Sequence, residues 1–279
     1  MQLKCMDSNL SLDTAAVMGV LNVTPDSFSD GGLWLEPRAA IEHGLEMSAE
    51  GAAILDVGGE STRPGAQPVP EDEELRRVIP VIEGLAHQGV RYISIDTRKA
   101  AVARRAIDAG ANIVNDTLGE ESDGSMDGLA AESGAAIVIV HSRGTPATMR
   151  DLTDYEDVTT EVFGFLEGRA AQLESAGVDS QSIVLDPGIG FAKTAEQSAR
   201  LLRDVITLSS SIYPVLIGTS RKSFIGQLVG LDEGDRLEAT LATSAWAVAQ
   251  GVSIVRVHDV RPNVRAIRMV EAILAGGGG

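Results

Sequence analysis

Short apolar runs recur along the whole chain, and the spacing leaves room for a helix between most neighbouring pairs. Each run is continuously hydrophobic rather than alternating, and each ends in a polar cluster. This pattern is typical of strands that are buried on both faces, as the strands of a parallel sheet are. The eight predicted strands are 16–22, 53–57, 92–96, 111–115, 136–141, 183–186, 214–218 and 252–258.

The segments between these runs carry helix signals. Acidic residues follow Pro70, as expected at the start of a helix, and Gly110 and Gly177 stand at expected helix ends. Alternating strands and helices without a linker-like stretch predict a single-domain α/β fold, a (β/α)8 TIM barrel. A doubly wound open sheet is the alternative, because strand order cannot be read from one sequence. The predicted helices are 36–50, 71–87, 99–109, 154–176, 196–208, 237–250 and 263–274.

The barrel is expected to occupy residues 16–275 as one domain. Residues 1–15 precede the first predicted barrel strand and are expected to form a flexible N-terminal extension. The glycine-rich end, 276–279, is expected to be a flexible tail.

Charge and composition exclude several classes of protein. The 279 residues include 23 Lys and Arg against 40 Asp and Glu, a net charge of −17. No nucleic-acid partner is expected, since phosphate-backbone binding depends on Lys and Arg. The longest apolar stretch, about 135–140, is far shorter than the roughly 20 residues that span a bilayer, so no membrane segment is expected. One cysteine, Cys5, permits no intrachain disulfide and suits a cytoplasmic protein.

The carboxyl ends of the predicted strands are unusually polar, and in a barrel this end carries the active site. Asp96 and Asp186 follow apolar frames, where a carboxylate needs hydrogen-bond donors. A flat heterocycle with several N–H groups would satisfy both together with Asn115. Hydrogen bonding to neighbouring loops is the alternative. The polar residues at strand ends are Asn22, Asp56, Glu60, Asp96, Asn115, Asp116, His141, Asp186, Lys222, Arg256 and His258.

Cationic side chains collect after the last two predicted strands. Lys222 follows the seventh, while Arg256 and His258 end the eighth at positions whose side chains share a face. The loops after strands seven and eight of such barrels frequently bind phosphate, and an Arg with a Lys suits a phosphate or pyrophosphate. Asn22, a neutral oxygen donor, would complete a Mg²⁺ site with phosphate oxygens and waters.

Two glycine-rich loops follow the first two predicted strands, at 24–32 and 58–66. Such loops are commonly simple turns. Phe28 in the first loop and Arg63 in the second are also the kind of exposed residue that a substrate lid requires.

Seven segments are similar, in the same order, to segments of the dihydropteroate synthases of folate biosynthesis, and the match runs from about residue 17 to 275. Two of them are long: GVLNVTPDSFSDGG at 19–32 and DVGGESTRPGA at 56–66. The shorter ones are ISIDT at 93–97, VND at 114–116, LDPGIGFAKT at 185–194, GTSRKSFIG at 218–226 and RVHDV at 256–260. Ala192 departs from the glycine that is usual in the family.

The resemblance implies a TIM-barrel transferase that uses Mg²⁺. Such an enzyme joins 6-hydroxymethyl-7,8-dihydropterin pyrophosphate to 4-aminobenzoate and releases pyrophosphate. The implied catalytic residues are Asp96, Lys222, Arg256 and Asn22. The implied pterin-binding residues are Asp96, Asn115, Asp186, Lys222 and Arg256. The implied pyrophosphate-binding residues are Asn22, Arg256 and His258, with Asn22 also at the metal. The implied aminobenzoate-binding residues are Phe28, Thr62, Arg63, Pro64, Phe191 and Ser223.

The resemblance further implies a homodimer and competition by sulfonamides. Two other functions stay open. One is a catalytically impaired paralogue that binds pterins or a partner protein. The other is a barrel that hands a methylfolate to a corrinoid protein, which would share the carboxylate pocket but would not require loops 24–32 and 58–66 or the 220–222 cluster.

Overall fold

A computed structural model of the chain describes residues 1–24, 37–61, 63 and 65–276. Its strands are β1 (Gln2–Cys5), β2 (Ser8–Ser11), β3 (Ala16–Asn22), β4 (Ile54–Gly58), β5 (Ile93–Thr97), β6 (Ile113–Asp116), β7 (Ala136–Val140), β8 (Ile183–Asp186), β9 (Leu216–Ile217) and β10 (Ile254–Val257). Its α-helices are α1 (Pro37–Glu50), α2 (Glu71–His87), α3 (Ala100–Asp108), α4 (Ser125–Ser133), α5 (Val158–Ser175), α6 (Ala195–Ser209), α7 (Ser223–Val229), α8 (Leu237–Ala249) and α9 (Val260–Leu274). Short 3-10 turns span Gly119–Glu121, Met149–Asp151, Ser180–Ser182 and Glu233–Asp235.

Strands β3 to β10 form one parallel sheet in the order β8-β7-β6-β5-β4-β3-β10-β9. Strands β8 and β9 stand at the two ends of this order and are consecutive in the chain. A parallel bridge between Leu185, in β8, and Val215, just before β9, joins them. The backbone N–H of Leu185 also donates to the Pro214 carbonyl at 2.9 Å. The sheet therefore closes on itself, which confirms the (β/α)8 barrel and rules out the open doubly wound sheet.

The side chains inside the barrel change from apolar to polar along the strands. Strand side chains alternate between faces, so positions two apart point the same way. On four of the barrel strands the inward residue near the amino end belongs to one apolar cluster, and two residues later the side chain is Asp, Asn or Arg. The pairs are Ile54 and Asp56, Ile113 and Asn115, Val184 and Asp186, and Ile254 and Arg256. The polar groups thus meet at the carboxyl-end mouth.

The first fifteen residues differ from expectation. Strands β1 and β2 pair as an antiparallel hairpin, and Tyr92 Oη donates to the Asn9 carbonyl at 2.6 Å. The hairpin contributes Leu3, Cys5, Leu10 and Leu12 to the apolar cluster inside the barrel. The expectation of a flexible extension is wrong, because these apolar residues recur at alternate positions and so form the buried face of two strands.

Removing a buried hairpin side chain should destabilise the whole barrel. We expect Leu3→Ala to lower the free energy of unfolding by about 2–5 kcal/mol, the usual cost of truncating a fully buried leucine. Ile212→Ala is the control, because Ile212 is 73% exposed, and its effect should stay within about 0.5 kcal/mol. Urea unfolding measures both, and equal changes would contradict the buried position of the hairpin.

The seven predicted helices are present: α2 has the predicted ends, α1 is described from Pro37 onward, and the others differ by one to four residues at one or both ends. The last begins at Val260 rather than at residue 263, since Pro262 is tolerated in a first helical turn. Helices α4 and α7 were not predicted; both are short, nine and seven residues, and each contains a glycine. Among the described helices, none has the length and apolar character needed to cross a bilayer. Of the predicted tail, 276–279, only Gly276 is described.

Candidate active site

Arg256 lies at the mouth of the barrel between two buried carboxylates. Its Nε donates to Asp56 Oδ2 at 2.6 Å, and its Nη2 donates to Asp96 Oδ2 at 2.7 Å. Asn115 Nδ2 donates to the same Asp56 oxygen at 3.2 Å. The predicted residues Asp96, Asn115 and Arg256 are therefore brought together, and Asp56 connects them. Asp56 was noted at a strand end but was given no role in the site.

Three acceptor oxygens in this group have no hydrogen-bond partner among the described residues. They are Asp56 Oδ1, Asp96 Oδ1 and Asn115 Oδ1, and all three are buried. A buried polar atom without a partner costs about 1–3 kcal/mol. A ligand that carries several N–H donors would remove that cost, so this part of the mouth suits a polar heterocycle.

Lys222 and Asp186 form the other side of the mouth. Lys222 Nζ donates to the carbonyl of Ile189 and lies 4.2 Å from the centroid of the Phe191 ring. The backbone N–H of Gly188 donates to Asp186 Oδ1 at 2.7 Å. Desolvation lowers the pKa of Lys222 to about 8, although Asp186 and Asp96 oppose it. Lys222 thus remains a cation at neutral pH, close to the loop that follows β8.

Burial and charge pairing set the ionisation of the central group. Desolvation raises the pKa of Asp96 to about 7, against the attraction of Arg256 and with a further increase from Asp56. Desolvation likewise raises the pKa of Asp186. For Arg256, desolvation acts to lower the pKa, but the two carboxylates outweigh it and hold the pKa above its ordinary value. Arg256 is therefore a permanent cation, while Asp96 titrates near neutrality.

His258 and Asn22 lie on the rim of the same mouth. His258 Nδ1 is 3.1 Å from Ser220 Oγ, and desolvation together with Arg256 and Arg221 lowers the pKa of His258 to about 3. The imidazole is thus neutral at pH 7 and offers a hydrogen bond rather than a charge. Asn22 and Asp96 both lie next to Gly58. A Cβ placed on Gly58 would be 3.8 Å from Asn22 Oδ1 and 3.5 Å from Asp96 Cβ, so Asn22 lies near the central group.

The predicted aminobenzoate residues are described only in part. Phe191 lies beside Lys222, and Ser223 begins α7 as the next residue in the chain after Lys222. Arg63 is exposed, and its charge contributes to the lowered pKa of His258. The others, Phe28, Thr62 and Pro64, lie outside the described residues.

The residues that could hold a metal are few. Within residues 1–24, 37–61, 63 and 65–276, no three His, Cys, Asp or Glu side chains are grouped to hold an ion. Asn22 offers one neutral oxygen on the rim, which fits a Mg²⁺ that takes its remaining ligands from phosphate and water. The donor chemistry is therefore compatible with the predicted magnesium.

The chain matches a family of pterin binding enzymes over residues 18–258. It is 43% identical to the dihydropteroate synthase of Escherichia coli K12, over 99% of this chain and 97% of that protein. It is 47% identical to the dihydropteroate synthase of Mycobacterium leprae, over 96% of each. The chain belongs to the dihydropteroate synthase family. The resemblance drawn from the sequence segments is thereby confirmed.

Solved dihydropteroate synthases share the whole fold. The enzyme of Xanthomonas albilineans, solved with 4-aminobenzoic acid, superposes with a TM-score of 0.91 at 42% identity, covering 98% of both chains. The enzyme of Yersinia pestis, solved with a sulfonamide drug, gives a TM-score of 0.91 at 39% identity, covering 99% of this chain and 100% of that one. These synthases thus share the fold over nearly the whole length of this chain.

Proposed function

We propose that the chain is a dihydropteroate synthase. It condenses 6-hydroxymethyl-7,8-dihydropterin pyrophosphate with 4-aminobenzoate to give 7,8-dihydropteroate and pyrophosphate. The bond between the exocyclic methylene carbon and the pyrophosphate oxygen breaks, a carbon–nitrogen bond forms, and the amine loses a proton. The observation that carries this proposal is the set of three unpartnered acceptor oxygens around Arg256.

The pterin ring would bind on the inward residues of the barrel. Asp96 and Asn115 would accept N–H groups of the ring, and Asp186 would do so from the neighbouring side. Lys222 would donate to a ring acceptor, and Arg256 would stack against the ring. The carboxylates of Asp96 and Asp186 also favour the positive charge that develops on the pterin-methyl group when the leaving group departs.

The leaving group would meet Arg256, His258 and Asn22. Arg256 supplies a preorganised positive charge, and neutral His258 supplies a hydrogen bond. Preorganised charge of this kind lowers the barrier because little reorganisation is needed during the reaction. The arylamine then attacks a carbon held close to it, so no covalent enzyme intermediate is required.

Asn22 would hold Mg²⁺ together with pyrophosphate oxygens, and Mg²⁺ would stabilise negative charge on the leaving group. We expect chelation with EDTA to remove turnover and added Mg²⁺ to restore it. Asn22→Ala should raise the Mg²⁺ concentration needed for half-maximal rate by about tenfold, the cost of one lost ligand or hydrogen bond to a charged group. A Mg²⁺ titration of dihydropteroate formation measures this, and an unchanged half-maximal concentration would remove Asn22 from the metal site.

The second substrate, 4-aminobenzoate, would occupy a pocket between the loops and Lys222. The residues proposed to line it are Phe28, Thr62, Arg63, Pro64, Phe191 and Ser223. Sulfonamides would compete there. We further propose that the active form is a cytoplasmic homodimer, which light scattering on the purified protein would test.

One assay tests the reaction directly. The purified protein is incubated with the pterin pyrophosphate, 4-aminobenzoate and Mg²⁺, and dihydropteroate and pyrophosphate are quantified. Equal amounts of the two products are expected. Binding of the pterin without any product would instead identify a catalytically impaired paralogue.

Pterin binding should weaken as the pH falls below neutrality. The pKa of Asp96 is raised to about 7, so acidification protonates the carboxylate, and the neutral group accepts an N–H more weakly than the anion does. Below that pKa we expect the affinity to fall by up to about tenfold per pH unit, the limit for one proton. Calorimetry with 6-hydroxymethylpterin, which carries no phosphate, measures this without the ionisation of pyrophosphate. A flat profile between pH 5.5 and 8 would contradict the assignment.

A further inference from the structure

Lys193 is a buried lysine to which the proposed reaction gives no role. It ends the loop that leaves β8 and carries Ile189 and Phe191. Its side-chain Nζ donates to the carbonyl of Phe191 at 2.9 Å. The same Nζ lies 2.9 Å from His141 Nδ1 and 3.4 Å from the carbonyl of His141, at the end of β7. One side-chain nitrogen therefore ties the Phe191 backbone to His141, the residue that follows the neighbouring barrel strand.

The ring of His141 is suited to receive this contact. Desolvation, with the charges of Lys193 and Arg143, lowers the pKa of His141 to about 2, so the imidazole is neutral. With the ring hydrogen on Nε2, Nδ1 accepts a hydrogen bond from Lys193 Nζ. His141 Nε2 faces Glu120 Oε1 at 3.4 Å. His141 thus offers a neutral ring nitrogen to Lys193.

A second contact holds the next residue of the loop. Tyr155 Oη donates to the carbonyl of Ala192 at 3.0 Å. Arg143 lies over the Tyr155 ring at 3.9 Å from its centroid, and Glu120 and Glu161 accept from Arg143 at 2.9 and 3.0 Å. Arg143 therefore holds the ring of Tyr155, while the hydroxyl of Tyr155 contacts the loop. The carbonyls of two consecutive residues, at 191 and 192, are both anchored.

The backbone between these anchors is strained. Ala192 has a φ of +48°, in the left-handed region that disfavours a residue with a Cβ. Without its anchors this segment would relax toward a more common conformation. The ring of Phe191, beside Lys222, would move with it.

We propose that Lys193, with Tyr155 as its companion, is a positioning residue that holds the Phe191 ring in place as a wall of the 4-aminobenzoate pocket. This inference rests on the proposed synthase function. The part of the loop nearer the pterin has separate anchors: Gly188 N–H donates to Asp186, and the Ile189 carbonyl accepts from Lys222. Lys193 should therefore affect the aminobenzoate more than the pterin.

The first test is Lys193→Met, which keeps an unbranched side chain and removes the donor. We expect the KM for 4-aminobenzoate to rise about tenfold, the effect of losing one buried hydrogen bond. The kcat and the KM for the pterin pyrophosphate should stay within about threefold, the pattern of lost ground-state binding. Tyr155→Phe removes a single hydroxyl, and the KM for 4-aminobenzoate should rise about threefold to tenfold.

The matched control is Arg169→Met. Arg169 is a largely buried basic side chain whose ion pair with Asp127, at 2.7 Å, joins α4 and α5. Arg169→Met should lower the melting temperature without a selective rise in the KM for 4-aminobenzoate. If Lys193→Met and Arg169→Met change both KM values alike, Lys193 has a structural role and the inference is overturned. If Lys193→Met does not fold, Tyr155→Phe decides by the same comparison.

The second test asks whether Lys193 acts through Phe191. In a Phe191→Ala background, Lys193→Met should change the KM for 4-aminobenzoate by less than about twofold, because residues that act as a unit are not additive. A full tenfold effect in that background would contradict positioning through the ring. A wild-type protein that forms no dihydropteroate would overturn the synthase proposal itself. An active wild type with an unselective Lys193→Met overturns the inference alone.

Discussion

Arg256→Ala should lower kcat/KM for dihydropteroate formation by about 10³-fold or more, the scale of losing a preorganised charge in a transition state. The guanidinium contacts Asp56 and Asp96 directly and is proposed to meet the departing pyrophosphate. His258, which is also proposed to meet the leaving group, is neutral at pH 7 and cannot replace the lost charge. The loss should appear in kcat as well as in KM for the pterin pyrophosphate.

The same substitution should alter the ionisation of Asp96. The attraction of Arg256 opposes the rise in the pKa of Asp96 that burial causes. Without Arg256 that pKa should rise further, and at neutral pH the carboxyl should carry a proton. The variant should therefore lose pterin affinity as well as charge stabilisation. A profile of pterin affinity against pH, measured by calorimetry, should shift to higher pH.

Two controls separate the site from the rest of the molecule. His43→Ala changes a half-exposed side chain on α1 and should leave turnover within about threefold. Arg169→Ala removes another buried arginine, away from the mouth, and should lower the melting temperature while turnover stays within about threefold. Turnover lost equally in Arg256→Ala and Arg169→Ala would mean that Arg256 acts through stability.

The barrel could be predicted from the sequence because its signal is local. Continuous apolar runs mark buried parallel strands, and a polar residue at the end of each run marks the mouth. Asp96, Asn115, Asp186, Lys222 and Arg256 were found in this way, and the structure brings them to one end of the barrel. Their roles toward the substrates remain predictions.

The cross-barrel pairing could not be predicted in this way. Asp56 and Arg256 are separated by 200 positions in the chain, and a list of strand ends does not say which inward side chains face each other. The signal for Asp56 was nonetheless present, since it lies two residues after the inward Ile54, in the register that Asn115 and Asp186 also show. Lys193 and Tyr155 gave no comparable signal, because they act through backbone carbonyls that carry no side-chain pattern.

Asp56→Asn should lower kcat/KM by about 10²-fold, because it removes the charge that orients both Arg256 and Asn115 while it keeps the size of the side chain. The negative charge of Asp56 also contributes to the raised pKa of Asp96. Removing that charge should lower the pKa of Asp96, so pterin binding should persist to lower pH than in the wild type. Turnover should therefore fall, while the pH below which pterin binding is lost should shift to a lower value.

Asp116→Asn is the matched control for Asp56→Asn. Asp116 is another buried carboxylate at the end of β6, and desolvation raises its pKa to about 6. Its Oδ1 accepts the backbone N–H of Leu118, and no contact joins it to Arg256 among the described hydrogen bonds. We expect Asp116→Asn to leave unchanged the pH below which pterin binding is lost. If Asp116→Asn shifts that pH and Asp56→Asn does not, the titrating group is Asp116, and Asp96 keeps an ordinary pKa in the free protein.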